Sequence, residues 1–179
     1  TAQVVKKITE SEGFLPYDFT YCKLGLQRNG QYIWLVTTNG VQRFSIKDLK
    51  INAIPATPVI TEVLLFNDAR AVGDYTKLFN PVNGLYLSPN FPHNKNSVSF
   101  KFQSVSLTIP ELNQCRYKLI GYNEEWTYTA NIGEVTYAAL PPGDYVFVLE
   151  VANNDNYWSE QQNSYPFSIA KPFWETAWF

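Results

Sequence analysis

The stretch Thr136-Tyr137-Ala138-Ala139-Leu140-Pro141-Pro142-Gly143-Asp144-Tyr145 decides the fold. Val135, Tyr137 and Ala139 share one side of an extended segment. Pro141-Pro142-Gly143 then turns the chain, because proline fixes φ and glycine accepts conformations other residues avoid. Tyr145 opens a second run in which Tyr145, Phe147, Leu149 and Val151 share a face, the period of two that marks a strand. The same alternation recurs on either side. Val98, Phe100 and Phe102 alternate with Ser97, Ser99, Lys101 and Gln103. Cys115, Tyr117 and Leu119 oppose Arg116 and Lys118, and Tyr165, Phe167 and Ile169 share a face near the carboxyl end. Upstream, Val59 to Phe66 reads as a first strand, Asn67-Asp68 and Gly73-Asp74 as turns, Gly84 to Leu87 as a short strand, and Pro89 to Asn96 as a polar loop. Short strands divided by turn clusters predict an all-β chain whose main body is a two-sheet antiparallel sandwich.

Composition agrees. The 179 residues are 16% aromatic, with 12 Tyr, 12 Phe and 5 Trp, and carry 11 Pro and 9 Gly. Aromatic residues suit a pleated, half-buried surface. The net charge of −2 argues against a nucleic-acid partner, which requires a basic patch. No apolar run reaches the ~18 residues needed to span a bilayer. With no Met in the chain, Thr1 reads as the start of an excised piece, a removed signal peptide being the alternative.

Residues 1–51 form a separate reading. Tyr32-Ile33-Trp34-Leu35-Val36 and Val41-Gln42-Arg43-Phe44 flank Thr37-Thr38-Asn39-Gly40, and Asn-Gly between β-prone runs predicts a hairpin. Its first run is apolar on both faces. Such a strand needs cover on both sides, which a lone hairpin cannot supply. Residues 52–57 read as a linker, 58–171 as the sandwich and 172–179 as a tail.

The stretch around Leu140, Pro142-Gly143 and Tyr145 resembles the E–F corner of fibronectin type III and immunoglobulin-like sandwiches. That resemblance implies a tyrosine corner, with the Tyr145 ring in the core and its hydroxyl bonded to an upstream backbone group. A wider set resembles the triple-tyrosine (Y_Y_Y) domain of hybrid two-component sensor kinases of Bacteroidetes. It comprises Tyr117, Gly121-Tyr122, Trp126, Tyr137, Leu140, Gly143, Tyr145, Asn153, Asp155, Tyr157-Trp158-Ser159 and the closing Lys171 to Phe179. Cys115 stands where that family often has a tyrosine, and Asn123 where Asp is usual. Residues 14–44, through Gly30, Ile33-Trp34, Thr37, Gly40-Val41 and Phe44, resemble the propeller repeat found upstream in the same kinases. A single repeat implies a partial blade.

The resemblance implies a periplasmic element, adjacent to the membrane through its parent chain, between a ligand-binding propeller and a transmembrane helix. It implies pairing as a homodimer and a parent that senses an oligosaccharide. In that family the closing stretch leads into the membrane helix, which makes Phe173, Trp174 and Trp178 juxtamembrane residues suited to the water–lipid boundary. The alternative is a carbohydrate-binding or spacer module of a secreted glycoside hydrolase.

No phosphate loop, dinucleotide glycine pattern or nucleophile elbow is present. No cofactor is expected. His93, the sole histidine, lies in a polar loop, so a nucleophilic triad is not expected. Glu124-Glu125 read as solvated residues in a turn. Cys22 and Cys115 read as two buried thiols, with a disulfide as the alternative; with one histidine they cannot build a structural zinc site, and no metal is expected. Trp126 reads as the inter-sheet core tryptophan, with Tyr117, Tyr137 and Tyr145 as further structural residues. Tyr122, Tyr128, Tyr157 and Trp158 lie near loops. They are the candidates for stacking on a sugar ring, although core or corner packing is the simpler reading of each.

Overall fold

The structure, a computed structural model, describes residues 23–26, 30–37, 40–47 and 52–175. The chain divides into two compact units, Thr1–Ala53 and Ile54–Phe179. In the first, strands β1 (Lys23–Leu26), β2 (Tyr32–Thr37) and β3 (Gly40–Ser45) form an antiparallel sheet in that order. The expected hairpin therefore has a third strand, β1, which pairs along the edge of β2 and leaves the faces of the sheet uncovered by it. Thr37 pairs with Gly40, so Gly40 opens β3 and does not occupy a central turn position as expected. Leu35 is buried, while Trp34, Val36 and Val41 are exposed. The Arg43 guanidinium lies 4.6 Å from the Tyr32 ring centroid and 5.8 Å from that of Trp34. Cys22 lies outside the described residues.

The second unit is a sandwich. It runs through β4 (Thr57–Leu65), a 3₁₀ turn (Arg70–Tyr75), β5 (Phe79–Asn80), β6 (Leu85–Tyr86), β7 (Asn90–Phe91), β8 (Val98–Val105), β9 (Gln114–Ile120), β10 (Asn123–Ala130), β11 (Ile132–Tyr137), β12 (Gly143–Ala152) and β13 (Asn163–Ile169). One sheet has the order β10-β9-β12-β13-β7 and the other β11-β8-β4; β5 and β6 form a small ribbon. The inward faces of β8, β9, β12 and β13 are those the alternation predicts, whereas Ala139, expected on the face of Val135 and Tyr137, lies past the end of β11, exposed and with φ +55°. Phe100 of β8 stacks on Phe147 of β12, with centroids 4.2 Å apart and planes 4° from parallel. Phe102, Leu119, Leu149, Val151, Tyr165 and Phe167 close around this pair. Burying a large apolar side chain contributes about 1.5–3 kcal/mol, so this layer dominates the unit's stability.

Tyr145 forms the corner that the Pro-Gly turn implies. Its ring is buried and stacks on Phe167 at 5.3 Å, and its hydroxyl donates to the Pro141 carbonyl at 2.6 Å. The turn after β9 is equally constrained. Gly121 has φ +93°, and a Cβ there would lie 2.5 Å from the Asp144 carbonyl oxygen.

Several expectations are corrected. Gly73-Asp74 are part of the 3₁₀ turn, which inserts Val72 into the core. Gly84, with φ +72°, is a turn residue preceding β6. The segment expected as a polar loop contains β7, which pairs in parallel with β13 and buries Phe91 completely. Glu124 and Glu125 belong to strand β10, in a bulge between the Asn123 and Thr127 pairings. Of the residues expected as linker, Ala56 is buried, Thr57 opens β4, and the Ile54 carbonyl accepts a bond from Asn153 Nδ2 at 2.8 Å.

Candidate functional site

The outer face of the five-stranded sheet gathers the polar and aromatic groups that the core excludes. Alternation along β9 sends Cys115, Tyr117 and Leu119 inward, so Arg116 and Lys118 point out. Register then sets Arg116 opposite Tyr128 on β10 and Glu150 on β12. Arg116 donates from Nε to Glu150 Oε2 at 2.7 Å, and its Nη2 lies 2.5 Å from the same oxygen. Its Nη1 reaches the Tyr128 hydroxyl at 3.3 Å, and Gln162 Nε2 donates to Glu150 Oε1. Glu150 is buried, yet each oxygen has a donor. That is the condition under which a carboxylate is tolerated out of water. Burial works against the charge on Arg116, but the bonds to Tyr128 and Glu150 and the Glu150 charge outweigh it and raise its pKa.

Three rings enclose the guanidinium. Its carbon lies 4.2 Å from the Trp158 centroid, 4.7 Å from Trp126 and 6.0 Å from Tyr128. Lys118 Nζ sits 4.8 Å from Trp126. Trp158 is delivered by a turn whose centre is Asn153. The Asn153 Oδ1 accepts from the amides of Asp155 and Tyr157, and Ala152 bridges to Trp158.

Trp126 is thus not the core tryptophan. It lies on an edge strand, half-buried, with Arg116 and Lys118 against its ring. Of the stacking candidates, the structure brings Tyr128 and Trp158 together, edge-on at 5.9 Å. Tyr157 is exposed beside them. Tyr122 is elsewhere, edge-on to Tyr137 at 6.0 Å, where a cleft of about 160 Å³ is lined by Tyr117, Tyr122, Tyr137 and Glu125. Tyr117 and Tyr137 pack against the core, and burial raises the pKa of both phenols.

On the outer face the charges of Arg116 and Glu150 neutralise each other. Among the described residues no group of three or more His, Cys, Asp and Glu could hold a metal. Cys115 is a buried free thiol, pushed up to about 11 by desolvation, which suppresses the reactive thiolate. Near the carboxyl end, Trp174 contacts His93 edge-on at 5.2 Å and Phe173 at 4.9 Å. Trp178 lies outside the described residues. Among the described residues, no helix is long and apolar enough to cross a membrane. Sequence reasoning missed Arg116 and Glu150 as the centre of the cluster. The outward position of Arg116 was legible, but its partner 34 residues away was not.

Residues 106–170 match the Y_Y_Y domain. The chain is similar to histidine kinase P4 of Formosa agariphila, 23% identical over 139 residues. These make up 78% of this chain and 10% of that protein. It is also similar in structure to two chains from B. thetaiotaomicron, each titled the extracellular domain of a hybrid two-component system. For BT3049 the TM-score is 0.59 at 21% identity, covering 83% of this chain and 20% of that one. For BT4673 it is 0.55 at 21% identity, covering 85% and 20%. The chain thus spans about a tenth to a fifth of the length of these relatives.

Proposed function

We propose, with the Y_Y_Y segment as premise, that this chain is part of the periplasmic sensor region of a hybrid two-component histidine kinase. In this reading the first unit is the last blade of a ligand-binding propeller. The sandwich connects that propeller to a transmembrane helix, pairs with a second copy and passes on a rigid-body movement. The parent senses an oligosaccharide, bound mainly on the propeller. The likeness to the two extracellular domains carries the reading: at 83% of the chain it exceeds the sandwich unit and takes in part of the first. The fused aromatic core supports a connector role, since a close-packed interior moves as a unit.

The test is the parent gene. An apolar run of about 20 residues following Phe179 is expected, and a polar continuation without one refutes the reading. The exposed rings of Tyr122, Tyr128 and Tyr157 favour the alternative, a carbohydrate-binding or spacer module of a secreted glycoside hydrolase. Calorimetric titration with glycans separates the two, because the connector reading expects no heat of binding from this chain alone.

A further inference from the structure

Strand β4 is the edge of its sheet, and a cleft of about 340 Å³ opens along it. This lies within the ~300–1,000 Å³ range of ligand clefts. Thr61, Glu62 and Val63 line one side. Ala69, Arg70 and Val72 form one wall, and the Asn83–Tyr86 turn forms the other.

The main chain of β4 has a definite sense here. Leu65 exchanges two bonds with Asp68, away from β8, while the next amide, Phe66, donates toward β8 to the Ser97 carbonyl. Backbone groups on a strand alternate in direction, so the N–H and C=O of Val63 point as those of Leu65 do, away from β8 and toward the cleft. Val63 is buried, and no residue among those described bonds its main chain from that side. Facing an open cleft at a sheet edge, these groups are left to water and free to pair with an added strand. The bulge between Ile60 and Glu62 opens the ladder beside it.

Arg70 supplies a charge. Its amide is fixed by Asp68 Oδ1 at 2.8 Å, while its guanidinium has no ion-pair partner among the described residues. The nearby Glu62 is already held by Lys101 at 2.8 Å. Val72, Leu85 and Tyr86 add apolar lining.

We propose that this cleft binds an extended peptide segment, which adds beside Val63 as a short strand and sets a carboxylate against Arg70. Strand addition supplies the pairing that Val63 lacks, and the guanidinium selects an acidic residue or chain terminus. A sugar or a simple anion matches only part of this set, because neither offers an N–H and a C=O at strand spacing. The site is independent of the connector reading.

The test is an amide-resolved NMR titration of the whole chain with acetyl-Val-Thr-Val-Thr-Asp bearing a free carboxyl terminus. Saturable shifts at Val63, Arg70 and Gly84 to Tyr86 are expected. Arg70→Gln is expected to weaken binding about tenfold, the worth of a charge-assisted bond. Arg70 is exposed, so the variant should fold, and an unchanged melting temperature checks this. A peptide N-methylated at alternate amides should lose binding altogether. The proposal is overturned by no shift at millimolar peptide, or by binding indifferent to both changes. It is equally overturned if acetate alone reproduces the shifts.

Discussion

Removing one oxygen atom from Tyr145 tests the corner on which the sandwich reading rests. In Tyr145→Phe the ring keeps its place against Phe167, and only the hydroxyl bond to the Pro141 carbonyl is lost. A neutral hydrogen bond contributes a net ~0.5–1.5 kcal/mol. Pro141 is exposed, so water can satisfy the freed carbonyl and no large desolvation penalty is added. The bond is short and its donor buried, which places the expected loss near the top of that range, about 1–1.5 kcal/mol. Tyr145→Ala removes the ring as well and should cost about 3–5 kcal/mol. Urea titration followed by tryptophan fluorescence reads both, with the m-value unchanged for the Phe variant because the surface exposed on unfolding is nearly the same. A Phe variant as stable as the parent, or as damaged as the Ala variant, refutes the corner as an anchoring bond.

Other perturbations report on separate parts of the sandwich. Asn153→Ala deletes a donor to Ile54 O and an acceptor for the amides of Asp155 and Tyr157 in a buried site; a loss of about 2–4 kcal/mol is expected in the same titration. Gly133→Ala places a Cβ 2.6 Å from the buried Phe102 ring, so overpacking should cost about 1–3 kcal/mol in thermal unfolding. Alkaline pH tests the buried acids. The Cys115 thiol is raised from about 9 to about 11 in the folded state by desolvation, and burial also raises the Tyr165 and Tyr137 phenols. The folded state therefore holds these protons more tightly. The Cys115 contribution to stability is complete below pH about 9 and is lost as pH rises through about 11, by a few kcal/mol for a two-unit shift, while the phenols lose theirs at higher pH still. Urea midpoints at pH 8 and 11 should differ accordingly, and Cys115→Ala should reduce the difference.

The strands of the core were legible, because Val98, Phe100 and Phe102, or Tyr165, Phe167 and Ile169, alternate against polar or outward neighbours, and Phe147, Leu149 and Val151 share a face of β12. Strand β10 was not. As an edge strand it shows little burial on either face, and its bulge breaks the period at Glu124 to Trp126. Trp126, expected in the core, lies instead under the cations of β9 on the outer face. β7 has two residues and pairs in parallel with a strand 78 residues distant, a match that no local pattern encodes. The outer cluster was half visible. Tyr128 and Trp158 were named one by one, but their meeting around Arg116 depends on the register of β9 against both neighbours.

Sedimentation equilibrium of this chain across a wide concentration range tests the connector reading most directly. A reversible monomer–dimer equilibrium whose dimer fraction rises with concentration is the expected result. A strict monomer at every concentration contradicts the pairing that the proposed connector role requires.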